Sequence, residues 1–270
     1  MIVKDIVERG SGPLLSEIHK KIAWIVFNNP QRMNAMSQEM WDNAASLLDK
    51  YGSNPEVRAI VLTGAGERAF VAGADISKFE TERASAEAMA SYNQSVANFH
   101  ESLNVITKPT IARVNGYCIG GGLAIAIGCD IRICSEKSKF AMPAAKLSLG
   151  YPFSSIKRLF DVMGPGMAKH FMFTADKISA EEALKCGLIQ KLISEDDIET
   201  FVKDYALNIS RNAPLTIKAM KQIGVEILKN PDERDLSICE QLASACFDSE
   251  DYKEGRRAFM EKRQANFKGV

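Results

Sequence analysis

The chain has 270 residues, 46% of them hydrophobic and 25% charged, the balance of an ordinary globular enzyme with a buried core. Lysine plus arginine equals aspartate plus glutamate at 34 each, so no global charge argues for a nucleic-acid partner. No apolar run is long enough to span a bilayer, and residues 1–12 lack an apolar signal core or an arginine-rich amphipathic pattern. The six cysteines (118, 129, 134, 186, 239, 246) show no CxxC pair and no metal-ligand spacing, so the expectation is a cytoplasmic protein with reduced, mostly buried thiols and no metal.

His19 to Asn28 reads as an early strand, with Ala23, Ile25 and Phe27 alternating among other apolar residues. Ser37 is placed to cap a helix through Asp49, where Met40, Trp41, Ala44, Leu47 and Leu48 share a face. Arg58 to Gly64 is a buried strand ending in a turn, followed by Gly66-Glu67-Arg68-Ala69-Phe70 and then Val71-Ala72-Gly73-Ala74-Asp75-Ile76. The polar, alanine-rich stretch from Ser77 to Asn98 has the composition of a mobile, partly helical flap. Strand-like Thr110 to Val114, an apolar helix from Leu123 to Cys129 and strand-like Asp130 to Cys134 repeat the alternation, which implies an α/β core.

A boundary falls near Ile193 to Asp197, where acids cluster, dividing a core of residues 1–195 from a helical region of 196–270. From Pro214 onward Leu215, Ile217, Ala219, Met220 and Ile223 stand at helical spacing, and a last amphipathic helix covers roughly Asp251 to Asn266.

The chemistry is carried by Asn115-Gly116-Tyr117-Cys118-Ile119-Gly120-Gly121-Gly122, at a strand-to-helix junction. Successive glycines leave no Cβ between main chain and ligand, and a helix N-terminus adds unpaired N–H donors with partial positive charge. Such a place holds a developing oxyanion, although glycines alone fit a tight packed turn equally well. The small residues around Gly73 make a second backbone site after a buried strand, and two such sites can converge on one carbonyl oxygen.

These two segments, with Asn28-Asn29-Pro30-Gln31-Arg32-Met33-Asn34-Ala35-Met36, resemble the enoyl-CoA hydratase/isomerase (crotonase) superfamily. The resemblance runs nearly end to end, through Cys129-Asp130-Ile131-Arg132-Ile133, Phe140 to Gly150, Thr174 to Ala183, Gly187-Leu188 and Glu254 to Arg263. It implies a spiral of ββα units with a C-terminal helical trimerisation region. It also implies a homotrimer, or a hexamer of two trimers, acting on acyl-CoA, with coenzyme A as substrate carrier and no retained cofactor. The oxyanion hole maps onto the N–H groups of Ala74 and Gly121. The remaining substrate contacts map onto Gln31, Arg32 and Met33 for the nucleotide, and Ala72, Asp75, Ile76 and Ser77 along the pantetheine. Tyr117, Gly120, Ala124 and Ala144 fall around the acyl group. Lys262 and Phe267 reach a neighbouring subunit's nucleotide if the terminal helix crosses over.

Hydratases of this family use two glutamates to add water, at positions that are here Ala124 and Ala144. Alanine moves no proton, and general acid–base help is worth roughly two to four orders of magnitude in rate. Decarboxylation or isomerisation is therefore expected above hydration, with a catalytically silent acyl-CoA-binding subunit as the alternative. Met142 to Tyr151 resembles, without a gap, the segment by which methylmalonyl-CoA decarboxylases place a tyrosine in the site, although Ala74 stands where that branch carries a histidine. Tyr151 is thus the substitute catalytic candidate, alongside a structural reading of the same residue. Lys146 reads as a surface residue, Asp75 as a helix cap, and Asp130 and Glu136 as structural. His19, His100 and His170 read as packed or solvated, outside any triad.

Overall fold

The computed structural model describes residues 2–78 and 84–270. An amphipathic helix α1 (Ile2–Arg9) buries Val3 and Ile6, and leads into β1 (Leu14–His19). A hairpin turn at Lys20 and Lys21, both with positive φ (49° and 68°), joins β1 to β2 (Ile22–Phe27). The single strand expected from His19 is therefore the second arm of a hairpin. Its turn is built from lysines in place of the asparagine and glycine that usually mark this geometry. Helix α2 (Gln38–Ser53) begins where expected, with Ser37 Oγ accepting from the Met40 N–H at 3.3 Å.

From there a two-strand step repeats. β3 (Ala59–Gly64) and β4 (Ala69–Val71) precede α3 (Ala86–Val105). β5 (Thr110–Val114) and β6 (Tyr117–Ile119) precede α4 (Gly121–Gly128). β7 (Ile131–Ser135) and β8 (Lys139–Ala141) precede α5 (Phe153–Thr174). The first strand of each pair joins a six-stranded sheet of order β1-β2-β3-β5-β7-β10, and the second joins a four-stranded sheet of order β4-β6-β8-β9. β9 (Ile178–Ser179), α6 (Ala180–Lys185) and β10 (Lys191–Ile193) close the series. This is the expected ββα spiral. Part of the expected flap, residues 79–83, lies outside the described residues, and from Ala86 the segment is a regular helix capped by Ser85.

The large sheet has a core on each side. Phe27, Trp41, Phe70, Phe99, Phe140 and Phe171 fill one side, and Trp24, Val61, Ile111 and Ile133 meet α1 and α7 (Ile198–Ser210) on the other. Burial on both faces explains why β2, β3 and β5 read as continuous apolar runs. Beneath the sheet, buried Arg113 of β5 faces buried Glu199 of α7 at 3.7 Å. Glu199 also accepts from the Val3 N–H, so one carboxylate ties α1 and α7 to the central strand. Cys118, Cys129 and Cys134 are buried, while Cys186, Cys239 and Cys246 are half-buried.

Residues beyond 195 divide in their packing. α7 puts Ile198, Val202 and Ala206 into the core, whereas α8 (Pro214–Ile227) buries only Ala219 and α9 (Leu236–Phe247) buries none of its residues. The last helix, α10 (Glu250–Met260), is shorter than its amphipathic pattern. Lys262 enters the left-handed region (φ 53°), and the Arg263 N–H bonds the Ala258 carbonyl, a C-terminal stop that needs no glycine here. The tail then runs back over the helix N-terminus, where Asp251 accepts from the N–H groups of Lys268 and Gly269 at 2.7 Å each.

Three stability outcomes follow from this packing. Ser37→Ala removes a cap and lowers unfolding free energy by about 1 kcal/mol in urea titration. Glu199→Ala strands a buried guanidinium and costs roughly 3–5 kcal/mol by the same measurement. His100 of α3 packs beside Trp41 and Phe99, and burial, reinforced by Arg158, lowers its pKa from 6.5 to about 4. The unfolded imidazole takes up its proton below about pH 6.5 and the folded one only below about 4, so acidification across that window favours unfolding. Wild type should lose up to about 3 kcal/mol more than His100→Phe across it.

Candidate active site

Three glycines open α4, each for a different reason. Gly120 has φ 55° and ψ −113°, a conformation that a Cβ disfavours. A Cβ on Gly122 would stand 2.0 Å from the Val71 carbonyl oxygen, so the helix start is pressed onto β4. Gly121 has ordinary room, its nearest neighbour being the Trp41 ring at 3.5 Å from a built Cβ. The first helical bond is Ala124 N–H to the Gly120 carbonyl at 3.0 Å, which leaves the Gly121 N–H ahead of any intrahelical acceptor.

The second backbone site is held by the loop after β2. Met36 forms a parallel bridge with Ala74: its N–H donates to the Gly73 carbonyl at 2.8 Å and its carbonyl accepts from Asp75 N–H at 2.9 Å. That pattern turns the Ala74 N–H away from Met36. Asn34, buried and at φ 57°, fixes the loop by donating from Nδ2 to the carbonyls of Ala65 and Ala69 and accepting from the Asn29 N–H. Sequence reasoning gave Asn34 no role. Its place in the Asn28–Met36 motif, beside a β-strand and ahead of a capped helix, was the available signal.

The two sites meet. Cβ atoms built on Gly120 and Gly121 would lie 3.9 and 3.8 Å from the Gly73 Cα, and the Gly120 one 3.6 Å from the Tyr151 hydroxyl. Ala74, Gly120, Gly121 and Tyr151 therefore share one neighbourhood, floored by Trp41. Ala72, whose N–H donates to the Met33 carbonyl at 3.0 Å, ties this neighbourhood to the Pro30–Arg32 turn. Burial raises the Tyr151 pKa above 10.0, so at neutral pH the phenol keeps its proton. Ala124 lies one turn into α4 on the Gly121 face, and Ala144 in the 3-10 turn Pro143–Leu147; both are partly exposed and neither offers a carboxylate.

Asp75 follows Ala74 directly, and one of its carboxylate oxygens is already used. Oδ1 accepts from Ser77 N–H and Oγ at 3.1 and 2.7 Å and pairs with the Arg32 guanidinium at 3.1 Å. Asp75 caps the turn Ile76–Lys78, as its sequence position suggested. Gln31 and Arg32 are exposed and Met33 half-buried, side by side on the turn before Asn34. Tyr117 lies at the far end of β6 from Gly120, with the Lys177 ammonium 5.0 Å from its ring centroid, and is not brought to the meeting point. Lys262 is exposed after α10, while Phe267 packs on Gly255 and its carbonyl accepts from Arg58 at 3.4 Å; neither approaches Gly121 within this chain.

The other polar candidates are structural. Asp130 Oδ2 accepts from Thr110 and pairs with Lys221 at 2.7 Å, and exposed Lys146 pairs with Asp176 at 2.8 Å. Among the described residues no group of three or more His, Cys, Asp or Glu side chains has the geometry to hold a metal, and no helix is long and apolar enough to cross a membrane.

Comparison with known proteins agrees with this fold. The enoyl-CoA hydratase/isomerase family model matches residues 17–270. A crotonyl-CoA hydratase of Syntrophomonas wolfei is 34% identical over 94% of this chain and 97% of its own. A methylmalonyl-CoA decarboxylase of Escherichia coli is 31% identical over 92% of this chain and 95% of its own. The crystal structure of an enoyl-CoA hydratase/carnithine racemase from Magnetospirillum magneticum superposes with a TM-score of 0.89 at 29% identity, covering 97% of both chains. A spiral of ββα steps, two glycine-lined strand ends facing each other and matches running almost from end to end make this chain a member of the enoyl-CoA hydratase/isomerase family.

Proposed function

We propose that this protein is an acyl-CoA enzyme that binds the thioester carbonyl oxygen on the N–H groups of Ala74 and Gly121 and stabilises the enolate formed there. The observation that carries the reading is that the Gly73 main chain lies where a Cβ on Gly120 or Gly121 would touch it, beside the Tyr151 hydroxyl. Two fixed donors aimed at one developing charge are worth several kcal/mol of barrier, on the scale of the ~3–4 kcal/mol lost with one such donor elsewhere.

The rest of the site decides which enolate reaction is easiest. Hydration needs a base for water and an acid for carbon, and Ala124 and Ala144 supply neither. Isomerisation needs a base, which a protonated Tyr151 is not. Decarboxylation of a malonyl-type thioester needs no base. The bond to the carboxylate breaks, its electron pair passes into the enolate, carbon dioxide leaves, and the α-carbon takes a proton from the Tyr151 hydroxyl or from water. Decarboxylation therefore ranks first, isomerisation second and hydration last. The 31% identity to a methylmalonyl-CoA decarboxylase supports this order, while the 34% identity to a crotonyl-CoA hydratase pulls the other way.

Coenzyme A serves as carrier and is not retained. Its pantetheine follows Ala72 and Asp75–Ser77, its adenine lies by Gln31–Met33, and Arg32 meets a phosphate by releasing part of its bond to Asp75. The exposed Met220, Ile227 and Leu228 of and after α8, with Leu236 and Phe247 of α9, support assembly into a homotrimer, or a hexamer of two trimers, in the cytoplasm. We divide the chain at residue 195, with α7 anchoring the second region to the first. Lys262 and Phe267 then serve a neighbouring subunit's nucleotide. A second reading, an acyl-CoA-binding subunit without turnover, is favoured by the same two alanines.

Purified protein offered methylmalonyl-CoA, a β,γ-enoyl-CoA and crotonyl-CoA should release carbon dioxide fastest relative to the other two reactions. Family-typical hydration of crotonyl-CoA overturns the order, and tight binding with no turnover of any of the three selects the silent subunit. Tyr151→Phe should lower turnover about 10- to 100-fold with coenzyme A affinity kept. The double variant Ala124→Glu, Ala144→Glu should raise crotonyl-CoA hydration by roughly two orders of magnitude, read as loss of enoyl absorbance.

A further inference from the structure

The backbone around Gly121 is closed on one side by an aromatic ring from a different element. Trp41 of α2 is 2% exposed, and the edge of its six-membered ring faces Gly121, with Cζ2 and Cη2 standing 3.5 and 3.8 Å from a built Cβ. Of the two large side chains that meet the glycines, Tyr151 turns a hydroxyl to Gly120 and Trp41 turns apolar carbon to Gly121. These are ordinary van der Waals distances, so the ring fills the space beside Gly121 without straining it.

The indole is held at both ends. Its Nε1–H donates to the hydroxyl of Tyr92, a buried residue of α3, at 3.1 Å. Phe99 of the same helix packs edge-on against it, with ring centroids 5.1 Å apart and planes at 62°. Three residues before Trp41, Gln38 Nε2 donates to the Ser91 and Ser95 hydroxyls at 2.7 and 3.2 Å, which fixes α3 against α2 on either side of Tyr92. A flipped indole would turn its N–H toward apolar carbon and lose the bond to Tyr92, and the cost of that keeps the ring in one orientation.

We infer that Trp41 limits the length of the acyl group at this site, and that Tyr92 is the positioning residue that holds the limit in place. The inference rests on the acyl-CoA reading above and names its substrate class as short acyl thioesters, of butyryl size or smaller. With the carbonyl oxygen on the Ala74 and Gly121 N–H groups and coenzyme A leaving past Asp75–Ser77, the acyl carbons lie on the side of Gly121 and the indole. A small acyl group, malonyl-type included, ends against the ring edge. A longer one has to displace a ring that is buried, hydrogen-bonded and packed on Phe99, and close-packed interiors accept added methylenes only with strain. A site without this ring would instead gain affinity about fourfold with each methylene buried.

The test is calorimetric titration of the intact protein with free coenzyme A and with acetyl-, butyryl-, hexanoyl- and octanoyl-CoA. Affinity should rise from acetyl to butyryl and then stop, leaving hexanoyl-CoA at least tenfold below the value that a continued gain per methylene would give. Trp41→Leu should raise the hexanoyl-to-butyryl affinity ratio at least tenfold and keep acetyl-CoA affinity within threefold. Trp41→Phe, which leaves an aromatic ring packed on Phe99, should raise the ratio part of the way; every variant is checked for folding by its thermal transition. Tyr92→Phe should raise the same ratio and shift the tryptophan emission, whereas a role in packing alone would lower the thermal transition and leave the ratio where it was. Affinity that climbs steadily to octanoyl-CoA in the wild type, or a ratio unmoved in the folded Trp41 variants, overturns the inference and leaves the acyl-CoA reading intact. A ratio unmoved only in folded Tyr92→Phe overturns the part given to Tyr92. Failure of every thioester and of coenzyme A to bind overturns the acyl-CoA reading itself.

Discussion

The structure depends on one contact between main chains: the start of α4 against the end of β4, where Gly122 leaves no room for a side chain beside the Val71 carbonyl. Any Cβ there would lift the helix off the small sheet and carry the Gly121 N–H away from Ala74. The same device recurs where the chain passes from the large sheet to the small one. Cβ atoms on Gly64 and Gly116 would fall 2.3 and 2.2 Å from the carbonyl oxygens of Phe70 and Arg68. The spiral is wound tightly because its corners are glycine, and the tight winding is what brings the Gly73 and Gly121 segments together.

A site built this way draws its electrostatics from the backbone. Among the described residues, Asp75 beside Ala74 is engaged by Ser77 and Arg32 and serves the loop. Tyr151 is protonated. In the proposed reading what is left is a pair of N–H dipoles in a partly water-excluded neighbourhood, an arrangement that favours reactions in which negative charge appears on oxygen without a proton having to be removed first. On that proposed reading this sets the present chain apart from the hydration chemistry that paired carboxylates support.

Polar groups elsewhere are spent on architecture. Arg113 and Glu199 hold α1 and α7 against the back of the sheet, Asp130 joins β5 to β7 and α8 through Thr110 and Lys221, and Asp251 straps the tail across α10. These bonds hold the side of the sheet that does not react. α8 and α9, by contrast, leave Met220, Ile227, Leu236 and Phe247 in water, an arrangement whose stability is completed by burial against other chains in the proposed assembly.

Much of this was legible in the order of the residues. Apolar runs marked the strands buried on both faces, Ser37 marked the start of α2, and the glycine triplet marked the strand-to-helix junction, because these signals arise from local propensity and solvent exclusion. The absence of glutamate at Ala124 and Ala144 was equally plain. The hairpin at Lys20–Lys21 and the early end of α10 at Lys262 were hidden, since non-glycine residues take the left-handed region there under tertiary constraint. Tertiary structure alone decided that β4, β6 and β8 leave the large sheet for a second one, that Tyr117 faces Lys177 and not the cradle, and that Tyr151 reaches Gly120. It alone set Arg158 over Gly128, for residues 30 apart in sequence meet only when two helices are packed side by side. Periodicity records which residues avoid water; only packing assigns them their neighbours.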